Sequence, residues 1–443
     1  MAALAVMLAI AVAAVVGRPS NAEDIAVLGV PLDFVIFGIT LIGVAVFHNR
    51  TLQVAVTGLA VVTLYKLFVT GFATGSGVLG LLGHLGHEWV VIANLLCLLT
   101  GFALLADHFE ASELPKVLPR VLPGDWKGAF ALLCIVFVLS SFLDNIAAAL
   151  IGGAMAHAVF NKKLHIGYIA AIVAASNAGG SGSVLGDTTT TMMWISGISP
   201  GAVFHAYAAA VVALFVCGIP ASRQQHAFSP IQRADAARSH VDWARMGIVG
   251  VILIAAIAVN VGVNARYPQH ADAFPFIGVA VWAAILVTAP WRRPNWALLP
   301  GAVRGSCFLL SLVLAATMMP VEKLSAASWQ TTFGLGFLSA VFDNIPLTAL
   351  AIKQGGYDWG VLAYAVGFGG SMMWFGSSAG VAISSMYPEA RSVVSWVRHG
   401  WHVAVAYVLG FAMVMAVLGW QPAVEEHRPP AVRPLITEAP RTR

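Results

Sequence analysis

SFLDNIAAALIGGAMA (141–156) and AVFDNIPLTALAI (340–352) decide how this chain is read. In each, an Asp-Asn pair interrupts an apolar run that is otherwise fit for the interior of a bilayer. A carboxylate at that depth costs about 2.5–3.5 kcal/mol on insertion scales, so it is kept where it does something. Two such breaks in matched settings point to a site.

Working outward, each pair is followed by a Gly-rich stretch: SNAGGSGSVLGDTTTTMMW (176–194) in the first half and GFGGSMMWFGSSAGVA (367–382) in the second. Their register is the same, since Gly180 and Gly370, like Gly186 and Gly376, lie 190 residues apart. The chain thus carries two copies of one pattern, in the same order. Glycines supply the left-handed conformations and close backbone approach that an interrupted helix needs.

The rest of the chain is built for lipid. Of 443 residues, 59% are hydrophobic and 10% charged, too apolar for a soluble domain of this size to cover with polar surface. The net charge of +4 is small and its basic residues are not interleaved with aromatics, which excludes a nucleic-acid partner. Cys97, Cys134, Cys217 and Cys307 each stand alone in apolar segments and read as small core or lipid-facing residues. No hydrolytic or redox constellation is present, and the chain reads as a non-enzyme.

Candidate spans are 1–17, 30–47, 51–72, 89–106, 202–219, 246–264, 275–289, 305–320 and 401–419. Residues 1–17 fit either a signal peptide or a first membrane helix, followed by an outer segment to residue 29. Four segments do not read as plain spans: 127–142 with 145–160, 166–199, 333–352 and 358–386. If the first and third are re-entrant hairpins and the others cross with an unwound middle, every loop acquires a side. The inner loops then hold Arg50, Lys116, Arg120, Lys127, Lys162, Lys163, Arg223, Arg233, Arg238, Arg245, Arg292, Arg293, Arg304, Arg391 and Arg398, 15 of the 24 basic residues. Only Arg18, Arg266, Lys323 and Lys353 fall in outer loops. Counting either hairpin as one crossing would destroy this bias, so the positive-inside rule supports the hairpins.

The hairpins enter from opposite sides on that count. The expected fold is therefore all-α: a polytopic, multi-pass protein of the inner (plasma) membrane with two inverted-topology repeats, each holding a re-entrant hairpin and an unwound transmembrane helix near the midplane. The first repeat is assigned to 30–245 with a cytoplasmic linker at 221–245, the second to 246–420, and 421–443 is expected to be a disordered tail.

Carboxylates, amide oxygens, hydroxyls and unwound carbonyls suit a hard cation such as Na⁺. A buried carboxylate among them can hold either a proton or a cation, because desolvation favours the protonated form and a bound cation the ionised one. The expected ion or substrate set is Asp144, Asn145, Asn177, Gly180, Asp187, Thr188, Thr189, Asp343, Asn344, Ser377 and Ser378, with Asp144, Asn145, Asp187, Asp343 and Asn344 on Na⁺. Ser377 stands where the first copy has Asp187, so the copies carry unequal charge and Asp343 is the weaker partner. Plainer roles compete: helix capping for Asp-Asn, helix packing for Thr188 to Thr191, a structural pair for Asp33 and Lys66, and ordinary interior positions for His157 and His205.

The four motif stretches resemble the signature elements of NhaD-type sodium/proton antiporters, in the ion transporter superfamily that also holds arsenite permeases and citrate or dicarboxylate transporters. The resemblance covers roughly residues 30–419 and implies a homodimer with a scaffold domain, a mobile transport domain, elevator-like alternating access and no organic cofactor. Ser181-Gly182-Ser183-Val184-Leu185 departs from the Pro-containing stretch of the antiporters and is expected to leave room for a solute.

Na⁺/H⁺ antiport is the leading expectation, because the four stretches contain three acidic side chains and no Lys or Arg. Na⁺- or H⁺-coupled uptake of an organic anion such as citrate is the alternative, using half-helix N-termini as its positive ends. An arsenite-like solute ranks below both. A receptor or assembly subunit would leave the paired breaks without a purpose.

Overall fold

The computed structural model describes residues 26–27, 30–47, 50–117, 122–231, 240–267 and 273–423. The expectations for residues 1–17 and for most of the 421–443 tail lie outside these. Among the described residues the chain is helical apart from a two-residue strand pair, Ala26–Val27 with Val30–Pro31. Six helical stretches are long and apolar enough to cross a bilayer. Their outward side chains, such as Phe68, Leu79, Ile254 and Val394, are apolar too, as lipid requires. The protein is an all-α, multi-pass membrane protein.

The helices are α1 (Leu32–Val46), α2 (Thr51–Tyr65), α3 (Gly77–Glu110), α4 (Trp126–Ser140), α5 (Asn145–Val159), α6 (Ile166–Ser181), α7 (Thr188–Ile195) and α8 (Ala206–Phe228). They continue as α9 (Trp243–Arg266), α10 (Phe276–Thr288), α11 (Leu299–Thr317), α12 (Trp329–Ser339), α13 (Asn344–Gln354), α14 (Trp359–Gly369), α15 (Ser378–Met386) and α16 (Val393–Val417). The four unusual segments are broken where the sequence places them, between α4 and α5, α6 and α7, α12 and α13, and α14 and α15.

Several boundaries differ from expectation, among them the starts of α11 at Leu299 rather than 305 and of α16 at Val393 rather than 401. Helix α3 begins at Gly77, twelve residues before the expected 89, because His84, His87 and Glu88 dilute the apolar signal without interrupting the helix. At about 1.5 Å per residue its 34 residues exceed the hydrocarbon thickness, so one end projects beyond it or the helix tilts. Helix α8 runs through the first eight residues of the stretch read as a linker, ending at Phe228.

Helices α6 and α14 form the centre. Every residue from Gly167 to Ser181 and from Trp359 to Gly369 is buried, with α4, α5, α8, α12 and α16 packed around them. A second apolar cluster is built by α1, α2 and α11 and reaches Met192, Ile345 and Ala349 near the breaks.

Contacts recur at matching positions in the two halves. The Ser140 hydroxyl donates to the Ser176 carbonyl at 2.6 Å, and the Ser339 hydroxyl to that of Val366 at 2.6 Å. A Cβ on Gly179 would lie 2.0 Å from the Phe137 carbonyl oxygen, and one on Gly369 2.3 Å from that of Gly336. Both hairpins therefore press backbone against backbone on the central helices, and only glycine permits that approach.

Asp33 and Lys66 pair at 2.7 Å, both buried. At the far end of α13, Lys353 donates to the carbonyls of Thr317 and Met319, satisfying groups left open at the end of α11. Replacing one member of the buried ion pair leaves a lone charge in an apolar setting. Lys66→Met should destabilise the detergent-solubilised protein by about 3–5 kcal/mol, and the double substitution Asp33→Leu, Lys66→Met should recover most of that loss. Thermal unfolding checks this, and equal losses in the single and double variants would refute it.

Candidate functional site

Asp144, Asp187, Asp343 and Ser377 each stand just before a half-helix and cap it. Asp144 accepts from the Ile146 N–H at 3.1 Å, Asp187 from that of Thr189 at 2.8 Å, Asp343 from that of Ile345 at 3.0 Å and Ser377 from that of Gly380 at 3.2 Å. Capping and a site role do not compete here, because a cap places the side chain where the helix is interrupted. The positive ends of four half-helices accordingly carry these groups.

One network joins the two halves. The Asn145 amide nitrogen donates to Asn177 Oδ1 at 3.0 Å and to Asp187 Oδ2 at 2.9 Å. Asn177 in turn donates to Ser371 Oγ at 2.9 Å and Ser377 Oγ at 3.1 Å. Thr189 gives Asp187 a second bond through its hydroxyl at 3.0 Å. Asn145, Asn177, Asp187 and Ser377 are exposed by no more than 4%. Among the described residues, the hydrogen-bond partners of Asp187 are all neutral.

The second half is not a duplicate. Asn344 is also buried, and its amide nitrogen has no hydrogen-bond partner among the described residues. Its counterpart Asn145 bonds the Asp187 carboxylate, whereas the second copy has Ser377 at that place. Asp343 takes its second bond from the Ser378 hydroxyl at 2.9 Å.

The threonine run divides its labour. Thr188 lines the cavity together with Asp144, and Thr189 bonds Asp187. Thr190 and Thr191 donate to the carbonyls of Ser183 and Val184 at 2.6 and 2.9 Å, holding the unwound loop. Ser183 reaches the Ser141 carbonyl at 2.6 Å, and Ser141 that of Gly179 at 3.1 Å. Backbone groups freed by the break are thereby satisfied, the condition for irregular chain at membrane depth. At Gly180 a Cβ would meet the Gly186 carbonyl oxygen at 2.5 Å, so glycine lets the two limbs of the break close on each other.

In the stretch Ser181–Leu185, Leu185 borders open space and Gly182 does not. The Tyr207 ring fills the room beside Gly182, where a Cβ would sit 2.5 Å from the ring. The open space is a cavity of about 700 Å³ between the helix breaks and α3 and α11, with Leu185 on its wall. Asp144, Thr188, Asp343 and Ser378 line it, with Leu95, Leu98 and Phe102 of α3 and Leu309 and Leu312 of α11 opposite. No Lys, Arg or His is among the described residues lining it.

Nine of the eleven predicted residues thus fall into two sets, with Asp144, Thr188, Asp343 and Ser378 on the cavity wall and Asn145, Asn177, Asp187, Thr189 and Ser377 in the network behind it, while Gly180 shapes the break and Asn344 joins neither set. Ser371, Ser140 and Ser339 were missed. Their signals lie in the repeat, since Ser371 matches Ser181 and the other two each precede their Asp by four residues. No group of three or more His, Cys, Asp or Glu suited to a metal ion is found among the described residues. Amides and hydroxyls dominate the donor set, which suits a weakly held hard cation better than a transition metal.

No protein-family model matches the chain. Curated relatives do. Sodium/proton antiporter 1 of Arabidopsis thaliana is 25% identical over 339 residues, covering 65% of this chain and 53% of the relative. Na(+)/H(+) antiporter NhaD of Vibrio parahaemolyticus is 24% identical over 399 residues, covering 75% of this chain and 91% of that protein. The chain is similar to sodium/proton antiporters of the NhaD type. Sodium/proton antiporter 2 of Arabidopsis thaliana is 25% identical over 65% of this chain. The match spans about half the length of the first Arabidopsis antiporter, 53%.

Asn177 bridges three polar groups, Asn145, Ser371 and Ser377, so its removal orphans several at once. Asn177→Ala should destabilise the purified protein by about 1–3 kcal/mol. Asn177→Asp adds a like charge beside Asp187, and protonation relieves that repulsion. Its loss of stability in thermal melts should therefore be larger at alkaline than at acidic pH; a loss independent of pH would show that Asp187 carries no charge there.

Proposed function

We propose that the chain is a secondary active transporter of the plasma membrane that exchanges Na⁺ for H⁺ at its intramembrane aspartates. The observation that carries this reading is the pairing of Asp144 and Asp343 on the wall of one cavity with no basic side chain among its described lining residues, and with Asp187 buried behind them. The antiporter relatives support the same cargo. Na⁺ is the transported ion, held in turn with protons by Asp144, Asn145 and Asp187, with Asp343 and Asn344 as the weaker second set. Only one of these sets has a second carboxylate, which gives the pair its inequality.

The recurring Ser–carbonyl and Gly–carbonyl contacts support two repeats, 30–245 and 246–420, which the loop charges orient oppositely. On that orientation the cavity opens inward, since it reaches Thr51, Ala106 and Leu298 beside the basic inner loops. A homodimer with a scaffold of α1, α2, α3 and α11 completes the proposal. An organic anion gains no support from two carboxylates and an apolar wall.

In proteoliposomes, an imposed Na⁺ gradient should move protons with no organic solute present. Asp187→Asn should abolish that flux, and an unchanged apparent Na⁺ affinity in this variant would remove Asp187 from the site. Na⁺-dependent uptake of labelled citrate without proton exchange would reverse the assignment of cargo.

A further inference from the structure

The cavity is far larger than a cation needs. A water molecule occupies about 30 Å³ of liquid, so about 700 Å³ would hold roughly twenty. Volumes of this order, walled mainly by apolar side chains with a few convergent polar groups, are those of small-molecule sites. Here the two carboxylates, Asp144 and Asp343, stand at the helix breaks with Thr188 and Ser378, and the only other polar side chains among the described lining residues are the neutral hydroxyls of Thr51, Thr191 and Ser306. The opposite wall is aliphatic, from Leu98, Leu309 and Leu312, and Phe102, Phe308 and Phe375 add aromatic rings. Carboxylate, aromatic face and apolar wall together are the chemistry that recognises an ammonium group on an apolar body.

We propose that this cavity binds a monovalent organic cation with an apolar body, a quaternary ammonium or protonated amine, its charge at Asp144 and Asp343 and its body against α3 and α11, in competition with Na⁺. The competition rests on the antiport reading of the same carboxylates; the binding does not. Organic anions are repelled by the two aspartates, and a neutral apolar molecule forgoes the attraction at the polar end. The Thr188 and Ser378 hydroxyls give the charged end further oxygens without adding charge.

The test uses the purified full-length protein and benzyltrimethylammonium as probe, with binding followed by isothermal titration calorimetry. Tetramethylammonium supplies the charge without the body, and benzyl alcohol the ring without the charge. The probe should bind roughly tenfold or more tighter than either, since desolvating the ring and placing the charge contribute separately. Asp144→Asn should weaken it by a similar factor. Leu309→Gln should erase the advantage over tetramethylammonium, and raised NaCl at constant ionic strength should displace the probe from the wild-type protein. This last measurement needs no variant to fold. Binding as tight for benzyl alcohol, or no binding at all, overturns the inference. Na⁺-driven proton flux measured on the same preparation separates the two readings. Flux without probe binding sinks the ammonium site alone, whereas probe binding lost in Asp144→Asn in a preparation without flux upholds the site and overturns the antiport reading.

Discussion

One amide holds the middle of this protein together. Asn177 accepts from Asn145 and donates to Ser371 and Ser377, so a single side chain ties the first hairpin and both broken central helices to one another. Each broken helix leaves donors and acceptors inside the buried core, where water does not satisfy them. The network answers that demand with neutral amides and hydroxyls, and places one carboxylate, Asp187, among them. Burial, register and the position of the cavity follow from these bonds, because the backbone can be interrupted only where they are made.

Most of this was legible because membrane depth makes polar residues conspicuous. Asp144 and Asp343 stood out from apolar runs, and their helices start one residue later, at Asn145 and Asn344. The Gly-rich breaks were readable through their repeated register. Contacts between distant segments were not. Nothing near Gly182 in the sequence announces that Tyr207, a helix away, occupies the space beside it. The early start of α3 was hidden for a different reason, since hydropathy weighs His84, His87 and Glu88 against a span although helices tolerate them near an end.

The division of the threonine run shows how one composition serves two ends. Thr189 bonds Asp187 and Thr188 faces the cavity that Asp144 lines, while Thr190 and Thr191 bond the loop that precedes them. Four identical residues cannot be told apart by type, and the helical turn they sit on sorts them. In the second half the run is replaced by Ser378, Ala379 and Gly380, and the matching turn has one hydroxyl to offer where the first has four.

Lys353 grips the two carbonyls at the end of α11 from the last turn of the helix whose first residue follows Asp343. A long, flexible side chain on fixed oxygens tolerates rotation more readily than translation. Tilting α13 about that anchor preserves both bonds while carrying the Asp343 end through an arc; sliding the helix along its axis breaks both. The base of the second hairpin is thus fastened to α11 by one cation at two points.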